Sequence, residues 1–297
     1  SYNNVGILAD NGLGQGLQLD KLMLMDQSGN VIRSNITTNA FGMGKVRFYA
    51  TKDNTYFLQC QLPNGEKLQQ KLPIAEQDQL GLALDNMAME KVLISLVGAK
   101  ETFLANVSAV YTMAFYQDDF FHFEEISLVG KEEVFSIDRK LLPFGIITTV
   151  LFDTDARPIA HRVFFNHRKD ENSLQQLEVD HCLTALADSL QIDVILPKGV
   201  DANSNISMSV LPGASKAYDP DNSLVTSFLL RPYVQKFYQD RYFFNGFDRK
   251  KRYELDKRLL VEGWGKYDWD SRKQQQVQLA YELETGIAFK CKILMRI

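Results

Sequence analysis

Short runs of alternating apolar and polar residues, broken by turn chemistry about every ten residues, run through most of this chain. Strands this short can bury one face each only by stacking sheet on sheet, so the pattern predicts β-sandwiches. "KLMLMDQSGNVIRSNITTN" reads as strand, turn, strand. Leu22 and Leu24 alternate there against Met23 and Met25, and "DQSGN" turns the chain. In "GKVRFYA", Val46 and Phe48 alternate with Lys45 and Arg47. "NTYFLQCQLPNGEKLQQKLP" is a hairpin about Pro63-Asn64-Gly65, and Asn-Gly is the strongest short hairpin signal.

A second series begins at Lys91. "KVLISLVG" is one strand, and "NVSAVYTMAFYQDDFFHFEEISL" holds two strands about a turn at Gln117-Asp118-Asp119. "EEVFSIDRKLLPFGIITTVLFD" and "PIAHRVFFNH" complete it. A third series is "SLQQLEVD", "DSLQIDVILP" and "NSNISMSVLP". Then the period changes. "NSLVTSFLLRPYVQKFY" and "KRYELDKRLLVEGWGKYDW" have helical spacing, with Leu255, Leu259, Leu260, Val261 and Trp264 along an apolar face. "GIAFKCKILMRI" returns to β alternation. The fold expected is therefore all-β: tandem immunoglobulin-like sandwiches with a short helical segment near the C-terminus. Polar stretches at "AEQDQ" and "RKDENS" divide it into residues 1–78, 79–170 and 171–297. The last part carries a helical aromatic segment at about 222–270 and a terminal strand.

Composition narrows the function classes. The 297 residues are 45% hydrophobic and 24% charged, with a net charge of −4. No basic stripe stands out, so nucleic acid is not an expected partner. "DRKKRY", Asp248 to Tyr253, reads as a solvated helical face. Cys60, Cys182 and Cys291 are far apart and odd in number, which yields no disulfide framework and no structural zinc motif. No apolar run reaches the roughly 18 residues of a membrane-spanning helix. A start at "SYNNVG", without an initiator Met or signal-like stretch, fits either a mature secreted chain or a piece of a longer one.

"LLPFGIITTVLFDTDARPIAHRVFFNH", Leu141 to His167, holds two His, two Asp and two Arg and is the first place to look for catalysis. "DTDARP" is turn chemistry between strands. On a strand, His161, Val163, Phe165 and His167 share one face and Ala160, Arg162 and Phe164 the other. The two His lie roughly 20 Å apart along such a strand and cannot share a metal. No nucleophile adjoins them, and both read as structural. In "QDDFFHFEE", the residues Asp118, Asp119, His122, Glu124 and Glu125 could bind a cation. Alternation turns Phe121 and Phe123 one way and His122 and Glu124 the other, which reads instead as a hairpin tip and a half-exposed strand. "NGLGQG" lacks both the P-loop ending and the dinucleotide spacing and reads as a flexible turn. In "FGMGKVRF", Gly42 and Gly44 are expected at positive φ or at a close backbone approach. G-x-S-x-G and H-E-x-x-H are absent, so no catalytic, metal or cofactor residues are expected. The candidate interface is aromatic: Tyr242, Phe243, Phe244, Phe247, Trp264, Tyr267 and Trp269. These either pack on a β module or form an interdomain or partner interface.

Three motifs in register carry a family resemblance. "TTNAFGMGKVRFYATKDNTYFLQCQLPNGEKLQQKLP" resembles the macroglobulin-like β-sandwich domains of large Bacteroidota cell-envelope proteins, with their Thr-rich turn, Gly-Met-Gly and Tyr-containing strand. "SIDRKLLPFGIITTVLFDTDARPIAHRVFFNH" is similar to the next module of those proteins. "SFLLRPYVQ", "YFF" and "YELDKRLLVEGWGKYDW" are similar to the segment that follows it. The resemblance spans nearly the whole chain. It implies a non-enzymatic periplasmic or outer-membrane-associated scaffold or binding module that acts on protein or glycan. Alternatively, it implies the periplasmic extension of a TonB-dependent importer, with outer-membrane receptor components as partners. The thioester macroglobulins carry Cys-Gly-Glu-Gln, whereas here Cys60, Cys182 and Cys291 precede Gln61, Leu183 and Lys292, so covalent trapping has no residues to use.

Overall fold

A computed structural model describes residues 2–51, 54–61, 65–74, 80–98, 110–128, 132–168, 178–183, 190–195, 211–212, 214–215, 221, 223–236, 239–246 and 248–263. The chain divides into two units, 1–266 and 267–297, and every described residue lies in the first. The described fold is mostly β-strands in several sheets, with only two short helices, both near the C-terminal end of that unit.

Two sheets share the first core. Strands β1 (Tyr2–Leu8) and β4 (Met43–Tyr49) pair with each other; β2 (Leu22–Asp26), β3 (Val31–Ile36), β5 (Tyr56–Gln61) and β6 (Lys67–Lys71) form a sheet in the order β3-β2-β5-β6. The expected alternation is what buries them. Leu22, Leu24, Val46 and Phe48 point into a core completed by Ile7, Ile36, Tyr56, Leu58 and Cys60, while Lys45 and Arg47 stay outside it. The turn in "DQSGN" forms because the Asp26 carboxylate accepts hydrogen bonds from the backbone of Ser28 (2.9 Å) and Asn30 (2.8 Å). The β5–β6 hairpin forms as expected, but its tip at 62–64 lies outside the described residues.

Gly42 sits at φ +74°, and a Cβ there would lie 2.0 Å from the Ala9 carbonyl oxygen. Gly16 approaches equally closely, its virtual Cβ lying 2.2 Å from Phe41 C. The "NGLGQG" turn therefore folds down onto the mouth of β4, and glycine is required on both sides for reasons of space.

The second sheet pair places β7 (Gly81–Asp85), β8 (Lys91–Val97) and β11 (Glu132–Asp138) in the order β11-β8-β7. It faces β9 (Val110–Gln117), β10 (Phe120–Ser127), β12 (Gly145–Phe152) and β13 (Pro158–Asn166) in the order β10-β9-β12-β13. Val92, Ile94 and Leu96 meet Met113, Phe115, Ile147, Leu151 and Phe164 across the core. Asp153 makes the β12–β13 turn as Asp26 makes its own, accepting from the backbone of Asp155 (2.9 Å) and Arg157 (2.8 Å). Strands β14 (Glu178–Leu183) and β15 (Leu190–Ile195) form a separate antiparallel pair. "NSNISMSVLP" falls almost wholly, and "GIAFKCKILMRI" entirely, outside the described residues.

Helix α1 (Leu224–Leu229) is capped by Ser223 and gives way to a 3₁₀ turn, Arg231–Tyr233, where Pro232 removes a backbone donor. A second 3₁₀ turn spans Asp240–Phe244. Helix α2 (Arg249–Glu262) begins at Asp248, whose side chain accepts from the Lys251 backbone, and ends at Gly263. Leu255 and Leu259 lie on the outer face of β12–β13 with Ile146, Val163 and Phe165. Strand β13 is thus apolar on both faces, with Phe164 in the inter-sheet core and Val163 and Phe165 beneath the helix. The alternation expected over 160–167 is seen here: Ala160 and Phe164 face the inter-sheet core, while Val163 and Phe165 face the helix; along it His161 is exposed and Arg162 and His167 are buried.

Candidate functional site at the junction of the two sheet pairs

Helix α2 touches both sheet pairs. On one side, Gly6 of β1 lets the Val261 side chain approach, with a virtual Cβ only 3.0 Å from Val261 Cγ2. On the other side, α2 covers β13. Its charged residues make the connections specific. Asp256, buried, accepts from Arg162 of β13 at 3.1 Å and faces Lys45 of β4 at 3.8 Å. One carboxylate therefore joins strands from both pairs. Arg252, also buried, donates to the Asn86 carbonyl at 3.2 Å in the loop after β7.

The expected solvated face in "DRKKRY" holds for Asp248, Arg249 and Lys250 but not for Arg252. Burial of that guanidinium is tolerated because backbone carbonyls converge on it. Arg139 ends in the same place. It donates to Asn86 O (2.9 Å), Asn86 Oδ1 (2.8 Å), Ala88 O (2.9 Å) and Asn166 Oδ1 (3.2 Å). Burial, and then the charge of Arg252, pull the Arg139 pKa down to about 10. His167 packs beside them with its ring 4.6 Å from that of Phe165. Burial first, and then Arg252 and Arg139, push its imidazole down to about 2. It is held neutral and serves structure.

Among the predicted interface residues, Tyr242, Phe243 and Phe244 belong to the second 3₁₀ turn and join the cluster under α2. Phe243 is buried and meets Phe41 at 5.5 Å and the Arg258 guanidinium at 5.3 Å. Tyr242 meets Phe41 at 5.6 Å and donates its hydroxyl to Glu254 Oε2 at 2.5 Å. The hydrogen bond to Glu254, with burial, pushes the Tyr242 hydroxyl up to about 12, so it remains a donor. Phe41 comes from the first sheet pair, so this aromatic contact crosses the junction. Phe247, Trp264, Tyr267 and Trp269 lie outside the described residues.

Beneath the aromatic turn lies a motif that sequence reasoning passed over. Asp240 is buried between Arg258 Nη1 at 2.5 Å and Arg231 Nε at 3.3 Å. The only local signal was one acid beside an aromatic run. Beside it opens a cleft of about 810 Å³, lined by Asn39 and Phe41 on one side and by Arg231, Gln239, Tyr242 and Lys250 on the other. With Asp221 and Glu254 also on its wall, amides, charges of both signs and aromatic surface in an open cleft suit a polar ligand or a peptide.

The "QDDFFHFEE" cluster forms a hairpin end in which His122 Nε2 lies 2.8 Å from Glu124 Oε1. Among the described residues, no group of three or more His, Cys, Asp or Glu side chains converges to hold a metal. Cys60 is buried and free. No helix among the described residues is long and apolar enough to cross a membrane. No protein-family model matches the chain, and no curated protein matches it.

Proposed function

We propose that this chain is a non-enzymatic scaffold or binding module of a Bacteroidota-like cell envelope, periplasmic or outer-membrane-associated, acting through protein or glycan contact. The observation that carries the reading is the α2 bracket. Asp256 and Arg252 tie two β modules together, and the junction cleft is left open. A prefixed junction lowers the ordering cost of binding, which suits a receptor surface more than a reactive centre. The second sheet pair adds support for an immunoglobulin-like, macroglobulin-like identity. In immunoglobulin lettering its order is A-B-E against C′-C-F-G. The envelope location rests on the resemblance carried by the three sequence motifs.

The test is recovery of the native full-length protein from detergent-solubilised envelope, read by mass spectrometry, beside a variant carrying Gln239→Trp and Lys250→Glu in the cleft. Both residues are exposed. An envelope protein or glycan that co-purifies with wild type and is lost from the variant is the expected result. If that partner is an outer-membrane barrel with TonB components, the importer extension is the specific form of the function. Identical recoveries from wild type and variant overturn the cleft as the binding surface.

A further inference from the structure

Strand β10 ends its sheet, and among the described residues no strand pairs with its outer side. Natural edge strands are usually protected by Lys, Pro, a bulge or extreme shortness. Two of the other edges follow that rule: β6 carries Lys67 and Lys71, and β13 begins at Pro158 beside an irregular register. Strand β10 is eight residues long, contains no Lys or Pro, and pairs with β9 in unbroken register from Phe120↔Gln117 to Ser127↔Val110.

Its geometry says what faces outward. The hairpin closes with a two-residue loop, Asp118-Asp119, with Asp118 at φ +48°. In such a hairpin the closing pair is hydrogen-bonded and the pattern alternates from there. His122, Glu124 and Ile126 therefore bond to β9, while the backbone groups of Phe121, Phe123 and Glu125 point away from the sheet. Those same residues carry the exposed side chains. Phe121 is 51% and Phe123 60% exposed. Their rings stack at 6.4 Å and 7°, and Tyr116 stacks on Phe121 at 6.0 Å. An aromatic ladder thus runs along an open backbone edge.

Charge selects the occupant. Residues 110–127 contain Asp118, Asp119, Glu124 and Glu125 and no Lys or Arg. A second copy of β10 would set acid against acid, and like charges across strands are destabilising. We propose that β10 is a docking edge for an extended basic segment of another protein. In that segment Lys or Arg alternates with apolar or aromatic residues, and it adds as a fifth strand. Its backbone would pair at Phe121, Phe123 and Glu125, its apolar residues would lie on the Phe ladder, and its cations, on the opposite face, would meet the half-exposed Glu124 and the Asp turn at the strand's end. This site is separate from the junction cleft and does not depend on it.

The probe is a synthetic peptide alternating Lys with Val and Tyr, titrated into the full chain and followed by anisotropy. A matched peptide with Glu in place of Lys is the control. The Lys peptide should bind about tenfold or more tightly than the Glu peptide and weaken with added salt. On binding, the amides of Phe121, Phe123 and Glu125 should become protected from hydrogen exchange. Phe123→Pro removes an outward N–H without removing a ladder bond and should abolish binding. Should that variant lose its native circular dichroism, the pair Phe121→Ser and Phe123→Ser replaces it. Equal affinity for the two peptides, binding without protection of those three amides, or full binding by a folded edge variant would each overturn the proposal.

Discussion

Asp240→Ala isolates the energetics of the junction. The carboxylate is fully buried, 2.5 Å from a guanidinium that is itself wholly buried. Arg258 has other contacts: its Nη2 donates to the Lys236 carbonyl at 2.7 Å, and its plane lies over Phe243. Glu262 is a second buried acid, but its Oε2 stands 3.7 Å from Arg258 Nε, beyond hydrogen-bond reach, so it does not replace the 2.5 Å contact, and a guanidinium does not shed its proton to escape burial. Removing one partner of a buried pair costs about 3–5 kcal/mol, most of it the penalty on the charge left behind. Arg231 shares the carboxylate at 3.3 Å but is partly exposed, so water can serve it instead. For a unit of this size the loss should lower the melting temperature by about 6–20 °C, at 2–4 °C per kcal/mol. Urea denaturation followed by far-ultraviolet circular dichroism measures it directly. The double variant Asp240→Leu with Arg258→Met removes both charges and should recover much of the loss, since apolar replacements of a buried pair are often neutral or better. A cost below about 1 kcal/mol for Asp240→Ala, or a double variant as unstable as the two single losses summed, would refute the reasoning.

Gly42→Ala should cost clearly more than Gly29→Ala in the same denaturation assay. Both glycines have positive φ, but only Gly42 would drive a Cβ against backbone, at 2.0 Å from Ala9 O, whereas Gly29 opens to solvent. Equal costs would mean that the loop over β4 is not held by this contact. His167 predicts an acid limb. Its folded pKa is depressed from 6.5 to about 2, so the unfolded chain takes up a proton that the native state refuses. Stability is therefore complete above pH about 6.5 and falls by about 1.4 kcal/mol per pH unit below it. His167→Leu should flatten the slope of unfolding free energy between pH 6 and 4 by about one proton, and an unchanged slope would show that the imidazole ionises in the native state.

Strands were legible because a period of two depends on immediate neighbours only. Leu22 and Leu24, or Val46 and Phe48, alternate in the chain and point inward in the fold. The turns at Asp26 and Asp153 were legible for the same reason: the carboxylate closes on backbone within four residues. What could not be read was anything that depended on partners far along the chain. Arg252 stands in a basic run and locally resembles surface. It is buried because Asn86 O, 166 residues away in sequence, waits for it. Likewise Asp256 is an ordinary helix acid until Lys45 and Arg162 are brought to it.

The polar stretch from Leu141 to His167 illustrates the same division from the other side. Its density of His, Asp and Arg made it the first place to look for chemistry, although in the sequence both His already read as structural and 153–158 as a turn. Those groups instead separate into a surface turn (Asp153, Asp155 and Arg157), an exposed strand position (His161) and two buried structural contacts (Arg162 and His167). No two of these three sets serve a common centre. Polar density along a strand therefore marks a site only where the fold leaves those side chains facing one space; in this chain only Arg162 reaches α2, through Asp256, and the rest close a turn or face solvent or the interior separately. The proposed contacts rest on two surfaces that this packing leaves exposed, the open junction cleft and the aromatic edge of β10.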